Sequence, residues 1–411
     1  MIDVKKLLLL TASLLWAACL ALALAATADA APRAIGGFFK QTHQKNYMTR
    51  DQRGEYNLLH KSVSGIGVDK ELRASYPLLT KAINEINQGE FQRIEELSTR
   101  MKDEAASFRE TAPDYYHPFQ YEFDVLMRRA DTMAVSFLQY EYTGGSGVHG
   151  MYHWQGVNLS TVTGAPLPLE AVVRDKKALA GAICERLRAD YPDSPFEQLE
   201  EKIVEKALTD QLNWTLDPQG LTFYFNPYEI ASYAEGLLTA TILFKERPDL
   251  FQGPCRQPAA AYAQPFPAYY PLTTSLRDNG ERDVISVYEA KGSVHVVLNG
   301  ADNAFPLDLA DLQPVLIHME DGRNYLYIDG TRKGKSIRNT LVVQLGSRSA
   351  RYVDTLAYSF RHTIAVAPKV QEYWHFLTNP NGFCIDQESP FISTSKTDIC
   401  AIGENGTLTF G

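Results

Sequence analysis

The spacing of hydrophobic residues changes along this chain and divides it into segments of different type. Over residues 76–109 apolar side chains recur mostly at three- and four-residue steps, which predicts a helix, and Gly89 is expected to break it in two. Later the step becomes two, the spacing typical of β-strands. The same reasoning predicts the remaining elements of this half, which are strands at 121–127, 133–140, 152–159, 221–225 and 237–244 and helices at 167–189 and 195–212.

The second half of the chain has an almost purely β pattern. Short apolar runs alternate with polar positions, and pairs such as Asp321-Gly322 and Asp329-Gly330 mark turns between them. The predicted strands lie at 284–288, 293–298, 315–318, 324–328, 341–345 and 357–360. The expected fold class is therefore α+β, an antiparallel sheet with packed helices followed by a mostly β C-terminal domain.

Composition marks the expected domain borders. Residues 31–56 are polar with early glycines, which predicts a flexible lead-in. Residues 251–271 carry repeated prolines with Ala and Tyr between them, a composition typical of a semi-rigid linker. Around these segments we expect an α+β domain at 57–250 and a β-rich domain at 272–411.

The N-terminus has the pattern of a secretory signal peptide over residues 1–30. Lys5 and Lys6 precede a long apolar stretch, and Ala28-Asp29-Ala30 supplies small residues at the positions that signal peptidase reads. The stretch is nearly long enough to span a bilayer, so an uncleaved N-terminal anchor is the alternative. We expect a secreted or periplasmic protein that touches a membrane only through an uncleaved signal.

Charge narrows the choice of partner. The chain has 411 residues, 22% of them charged, and a formal net charge of −9. A nucleic-acid partner is disfavoured, because an acidic protein lacks the basic field that displaces counterions from phosphates. The chain has no phosphate-binding GxxxxGK[ST] loop, and no cofactor is predicted.

Four cysteines follow the predicted signal peptide. Cys384 and Cys400 are 16 residues apart in a Gly/Ser/Thr-rich tail, and outside the cytosol we expect them to form a disulfide. Cys184 lies in a helical, buried pattern and is expected to be free, although its redox state and that of Cys255 stay open. None of the cysteines shows CxxC spacing, so a zinc knuckle is unsupported.

Candidate chemistry concentrates in the segment YEYTGGSGVHG, residues 140–150. His149 and His153 have HxxxH spacing, and with Glu141 they form an alternative zinc-ligand set. Glycines beside His149 argue against a helix, and on a strand residues four apart are about 13 Å apart, too far for one metal. A tight loop between strands with one structural histidine is therefore favoured. Ser146 lacks the strand–turn–helix context of a serine nucleophile.

A distributed set of residues within 57–250 resembles a known extracytoplasmic domain. The domain is shared by the lysozyme-responsive anti-sigma factor RsiV and the non-catalytic N-terminal part of PdaC-type peptidoglycan deacetylases. Its loop has a GGAHG-like pattern, where this chain reads GGSGVHG. The other matching residues, in chain order, are Val135-Ser136-Phe137, Tyr140, Tyr142, Asn158, Thr163-Gly164, Leu167-Pro168-Leu169, the run from Gly220 to Ala231, Tyr233 and Gly236.

The resemblance implies binding at the cell envelope without catalysis. Anti-sigma members bind lysozyme through this domain, so a lysozyme-like protein or a cell-wall glycan is the expected partner. Residues 270–411 lack the HxxxH motif of the deacetylase domain, so catalysis is not expected, and a metal-dependent envelope hydrolase is the alternative. The candidate binding residues are Tyr142, Gly144, Gly145, His149, Tyr228 and Glu229.

Overall fold

The fold is described from a computed structural model. It describes residues 32–411 except 148, 336, 358, 367–368, 378–381, 388–395, 403–407 and 411. The predicted signal peptide at 1–30 lies outside these residues. The chain is α+β, with 24% helix and 44% strand, as the hydrophobic pattern predicts.

Two of the described helices begin at a residue whose side chain caps them. The Asp69 side chain accepts a hydrogen bond from the Leu72 amide at one helix start, and Asp175 caps another. The α-helices are α1 (Lys70–Ser75), α2 (Pro77–Thr111), α3 (Lys176–Asp190) and α4 (Leu199–Leu208). Short 3₁₀ turns occupy Pro113–Tyr115, Leu169–Ala171, Tyr233–Glu235, Pro254–Arg256 and His375–Leu377. Within the described part of the chain, no helix combines the length and the apolar character needed to cross a membrane.

Two helix predictions need correction. Helix α2 passes through Gly89 without a break, because Ile83 and Ile94 on either side of it are both buried in the same core. Packing thus outweighs the helix-weakening effect of one glycine, about 1 kcal/mol. Helix α3 begins at Lys176 rather than near 167, because Asp175 supplies the cap.

The strands of the described residues fall into five sheets. In chain order they are β1 (Phe38–Asp51), β2 (Gly54–Val68), β3 (Phe119–Ala130), β4 (Ala134–Gly144), β5 (Met151–Ser160), β6 (Trp214–Leu216), β7 (Gly220–Phe225), β8 (Leu238–Leu243), β9 (Tyr262–Pro265), β10 (Leu272–Thr274), β11 (Asp283–Ala290), β12 (Ser293–Leu298), β13 (Ala301–Phe305), β14 (Leu309–His318), β15 (Asn324–Arg332), β16 (Arg338–Leu345), β17 (Ala350–Leu356), β18 (His362–Val366), β19 (Lys369–Tyr373), β20 (Gly382–Gln387), β21 (Lys396–Ile402) and β22 (Leu408–Phe410).

The largest sheet has seven strands in the order β18-β19-β1-β2-β3-β4-β5. Its pairs are antiparallel except β2–β3, which is parallel because α1 and α2 form the crossover between these strands. The smaller sheets are β6-β7-β8, β10-β11-β12-β13, β17-β16-β15-β14-β9 and β20-β21-β22.

Different elements pack on the two faces of the seven-stranded sheet. Helix α2 packs on the face that carries Leu59 and Phe123, and its residues Ile83, Ile94 and Met101 enter the same core. The opposite face at the β4–β5 end is covered by strand β6. A Cβ on Gly156 would lie 2.0 Å from the carbonyl oxygen of Trp214, so only glycine permits this approach.

The segments expected to be a lead-in and a linker are parts of the sheets. Residues 31–56 contain all of β1 and the start of β2, and Phe38 at the start of β1 is buried. Residues 251–271 contain β9, which pairs with β14, and the buried residue Cys255. The predicted strand at 357–360 is also wrong, since β17 ends at Leu356. Strand pairing between distant segments, which local composition does not encode, explains these differences.

Two buried arginines bind the 251–271 segment to the first half. Arg128 forms a bidentate ion pair with Asp217 and donates to the carbonyl of Pro265 at 2.9 Å. Arg129 donates to the carbonyls of Cys255 at 2.6 Å and Gln257 at 2.8 Å. Charged hydrogen bonds at these buried positions hold the segment against β3.

Candidate functional site

The candidate residues collect where β4 and β5 end beside the loop that joins them. The register pairs Tyr142 on β4 with Tyr152 on β5, so both side chains lie on the sheet face opposite α2. The loop returns the chain to the same face, where His149 stacks on Tyr233 from the 3₁₀ turn after β7.

Five rings form one connected surface cluster, which we call the aromatic platform. Tyr233 lies at its centre, with ring centroids 3.8 Å from His149, 5.7 Å from Tyr228 and 6.2 Å from Tyr152. Tyr142 adjoins Tyr152 at 5.5 Å. His149 and Tyr228 are exposed and the other three rings are half-buried. The platform therefore offers ring surface to solvent.

Tyr233 anchors the loop to the platform. Its hydroxyl donates to the carbonyl of Gly150 at 2.5 Å, and a ring nitrogen of His149 lies 3.2 Å from the same oxygen. Partial burial and the neighbouring hydroxyl of Tyr152 raise the pKa of Tyr233 to about 12, with smaller contributions from Tyr142 and Tyr228. The phenol is therefore a hydrogen-bond donor at neutral pH rather than a phenolate.

Tyr228 is held outward by an unusual backbone. Its φ is 70°, a conformation that costs a non-glycine residue about 1–2 kcal/mol, and its side chain is 61% exposed. Neighbouring Asn226 accepts from the Trp154 amide at 2.7 Å and thereby caps the free edge of β5. Glu229 accepts from the Asn226 side chain at 3.3 Å and pairs with Lys206 at 3.4 Å. Asn226 and Glu229 are structural, whereas Tyr228 faces solvent.

The loop glycines give room for rings rather than unusual backbone shapes. A Cβ on Gly150 would lie 2.2 Å from the Tyr142 ring, and one on Gly145 would lie 3.1 Å from Phe119. Gly144 similarly approaches the Tyr142 hydroxyl at 3.0 Å. None of the three has φ in the left-handed region, so close approach to neighbouring rings, and not a left-handed backbone, is what requires glycine here.

The platform continues into a buried aromatic stripe on the same face. Beyond Tyr142 and Tyr152 the next paired positions are Tyr140 and Trp154, whose rings meet edge to face at 5.9 Å. Trp154 also contacts Tyr224 and Tyr270 at 6.0 Å and 4.8 Å. This packing holds the base of the platform in place.

The alternative metal site is not assembled. Glu141 points to the α2 face. There the Arg93 guanidinium donates hydrogen bonds of 2.8 and 3.1 Å to its carboxylate, and the Tyr121 hydroxyl donates a third. His153 pairs with Glu141 in register and shares that face, whereas His149 stacks on Tyr233 across the sheet. The sheet itself separates the two histidines. Across the described residues no group of three or more His, Cys, Asp or Glu side chains is arranged to hold a metal ion.

The cysteines divide into two pairs. Cys184 and Cys255 are buried and free, and burial raises the pKa of the Cys184 thiol to about 11. In the β20–β21 register Cys384 stands opposite Ile399 and Cys400 opposite Phe383. Their side chains lie outside the described part of the structure, so the disulfide between them stays a prediction.

Sequence reasoning missed Tyr152 and Tyr233 as members of the site. Tyr152 could have been found, because in a hairpin it occupies the position opposite Tyr142. No local signal connects Tyr233 to a loop more than 80 residues earlier in the chain.

Comparison with known proteins gives a family match for one segment of the chain. Residues 171–245 match DUF3298, a protein family of unknown function, and no curated protein matches the chain. Two solved DUF3298 structures each align with 54% of this chain and 96% of their own length. The one from Bacteroides fragilis has 17% identity and a TM-score of 0.36, and the one from Pseudomonas aeruginosa has 14% identity and a TM-score of 0.33.

The DUF3298 domain supplies only part of the site. It spans α3, α4 and β6 to β8, and it includes Tyr228 and Tyr233 of the platform. Tyr142, His149 and Tyr152 precede the matched residues. The narrower resemblance to RsiV and PdaC stays a prediction.

Proposed function

We propose that this protein is a non-catalytic binding protein of the cell envelope and that it holds a glycan on the aromatic platform. The observation that carries the proposal is the cluster of five contacting rings, two of them exposed, at one end of the seven-stranded sheet. Exposed aromatic clusters on soluble proteins mark interaction sites more often than chance.

Tyrosine rings suit a sugar ligand. Each ring presents a flat apolar face that can cover the C–H face of a pyranose, while its hydroxyl exchanges hydrogen bonds with sugar hydroxyls. Tyrosine also loses little conformational entropy on binding, since it has only two side-chain torsions. The packed base below Tyr142 and Tyr152 reduces that loss further.

The backbone strain at Tyr228 supports a binding role. A residue that keeps a strained backbone while its ring stays exposed contributes little to folding, and such strain concentrates at functional sites. The signal-peptide pattern at residues 1–30 is consistent with an envelope location, where peptidoglycan is the abundant glycan.

Co-sedimentation with purified peptidoglycan tests the proposal. We expect the protein to sediment with the polymer and the variant Tyr228→Asn to lose most of this retention, although Asn tolerates positive φ and preserves the fold. The matched control is Tyr352→Ala, which removes another exposed tyrosine, on β17, and should leave retention unchanged. Equal loss in both variants, or no sedimentation of the unaltered protein, would contradict a glycan ligand.

Retention on immobilised lysozyme is the second test of the proposed function. The net charge of −9 favours encounter with a basic protein, so a lysozyme-like partner is the competing candidate. Lysozyme retention without peptidoglycan retention would replace the glycan by that partner. Hydrolysis of peptidoglycan by the purified protein, lost in His149→Ala, would instead support the metal-dependent hydrolase.

A further inference from the structure

Three lysines surround one tyrosine on the β1–β2 hairpin, on the sheet face opposite the aromatic platform. The ammonium nitrogens of Lys45, Lys102 and Lys61 lie 4.4, 4.7 and 5.5 Å from the centroid of the Tyr47 ring. All three nitrogens therefore lie within a sphere of 5.5 Å radius. We call these four residues the lysine cluster.

The strand register forces like charges together. Lys45 on β1 stands directly opposite Lys61 on β2, an arrangement that destabilises a sheet. In the neighbouring pair His43 faces Lys369 on β19. Burial first, and then the nearby Lys369 and Lys61, lower the pKa of His43. This positive region lies on a protein whose net charge is −9.

The cluster is held in shape by its surroundings. The side chain of Lys61 is only 7% exposed, and its ammonium group pairs with Glu95 on α2. Lys102 comes from the same edge of α2, two turns further along. Among the residues that the structure describes, Glu95 is the carboxylate paired with the cluster, so three ammonium groups face one carboxylate and a positive excess remains.

We infer that the lysine cluster is a binding site for a phosphate-class anion. Ammonium groups are compact charges, each with three freely rotating N–H donors, and they suit a phosphate group approached from several directions. Planar carboxylates are matched better by the forked guanidinium of arginine, which the cluster lacks. An anion among Lys45, Lys61 and Lys102 would also relieve the repulsion between the opposed lysines.

Titration calorimetry of the purified protein with pyrophosphate at low ionic strength tests the inference. We expect Lys45→Gln and Lys102→Gln each to weaken binding at least fivefold. Lys177→Gln, which removes an exposed lysine on α3, is the matched control and should leave binding unchanged. Thermal melting checks each fold, and Lys45→Gln should melt no lower than the unaltered protein because it removes a like-charge contact.

Glu95→Gln separates a binding role from a purely structural one. If the lysines served only the ion pair with Glu95, losing that carboxylate would leave anion affinity unchanged. We expect it to tighten pyrophosphate binding at least twofold, because a competing anion is removed. Absence of pyrophosphate binding, an equal loss in Lys177→Gln, or no gain in Glu95→Gln would overturn the inference.

Two further probes identify the source of the phosphate. A glycerol-phosphate polymer that competes with pyrophosphate would assign the site to a phosphodiester chain, and competition by pyrophosphate alone would assign it to a small phosphate. Equal competition by polyglutamate of matched charge would overturn the choice of phosphate over carboxylate. These outcomes do not depend on whether the aromatic platform binds glycan.

Discussion

The aromatic platform and the lysine cluster occupy opposite faces of one sheet and differ in the interactions among their residues. In the platform every ring contacts another ring, and Tyr142 and Tyr152 continue a packed stripe that reaches the core. In the lysine cluster Lys45 and Lys61 are held opposite each other against their mutual repulsion. The first region presents a surface made of rings that pack on one another, whereas the second places two like charges opposite each other on the hairpin that carries it.

This difference predicts how binding at each surface should depend on ionic strength. Ring contacts depend on shape and buried area and are nearly independent of ionic strength. The attraction of the exposed Lys45 and the half-exposed Lys102 for an anion is screened within about 10 Å at 0.1 M salt, and that of the buried Lys61 is screened less. Variants and solution conditions can therefore change one region without the other.

The largest expected effect is on stability and comes from Glu372, which lies on the same strand as Lys369. Glu372 on β19 accepts from Arg361 and Trp374 and lies opposite Lys40 on β1. Arg361 and Lys40 overcome the opposing effect of burial and lower the pKa of Glu372 to about 2. We expect Glu372→Gln to lower the free energy of unfolding at pH 7 by about 3 kcal/mol, measured by urea denaturation.

The pH dependence of that difference checks its cause. A carboxyl group with a lowered folded-state pKa contributes stability above its ordinary pKa near 4.5 and loses it as the pH falls towards 2. The gap between the unaltered protein and Glu372→Gln should therefore close over this range. A gap that stays constant would show that lost packing, not charge, is responsible.

A methyl group under the Tyr142 ring should break the platform. The Cβ of Gly150→Ala would lie 2.2 Å from that ring, so Tyr142 must move. We expect the free energy of unfolding to fall by about 2 kcal/mol and most of the peptidoglycan retention to be lost. Gly147→Ala is the matched control, since its Cβ meets only the His149 carbonyl at an ordinary 3.5 Å. Calorimetric melting and co-sedimentation of both variants measure this; similar behaviour of the two would contradict the assigned packing.

Salt should separate the two ligands. Raising NaCl from about 50 to 500 mM should weaken pyrophosphate binding about tenfold, because the ammonium charges are screened. Peptidoglycan retention through the platform should change by less than about twofold over the same range. Parallel titrations at both salt concentrations provide the measurement, and a salt-sensitive glycan interaction would place the glycan on a charged surface instead.

The smallest effect concerns stability alone. Removing one of two opposed charges with Lys45→Gln should raise the free energy of unfolding by about 0.2–1 kcal/mol at low salt. The gain should shrink at 500 mM NaCl. Urea denaturation at both salt concentrations measures it, and a loss of stability would mean that the contact of Lys45 with Tyr47 outweighs the repulsion from Lys61.

Much of the fold was predictable from local pattern. The two-residue alternation identified the β3–β4–β5 meander, and the three- and four-residue spacing identified α2, because these patterns reflect one buried face. Gly89 misled the prediction because a glycine weakens a helix only locally. Residues 38–51 were misjudged because β1 carries mostly polar side chains, and its partners β2 and β19 are not visible in its own composition.

The candidate site was predictable only in part. Tyr142, His149 and Tyr228 were proposed from sequence and meet in one cluster, whereas Gly144, Gly145 and Glu229 support the surrounding packing. His153 and Glu141 were paired with His149 as alternative metal ligands because they are close in sequence. The alternation of side chains along β4 and β5 places both on the other face of the sheet.

The sequence by itself determined the positions of α2 and of the β3–β4–β5 strands and the glycine-rich loop that joins β4 to β5, because these patterns depend on neighbours a few residues apart. Only the tertiary structure decided that Tyr233 completes the platform and that Lys102 and Lys45 both approach the ring of Tyr47. Such meetings depend on the register of paired strands and on the packing of α2 across them, which are set by the whole core at once.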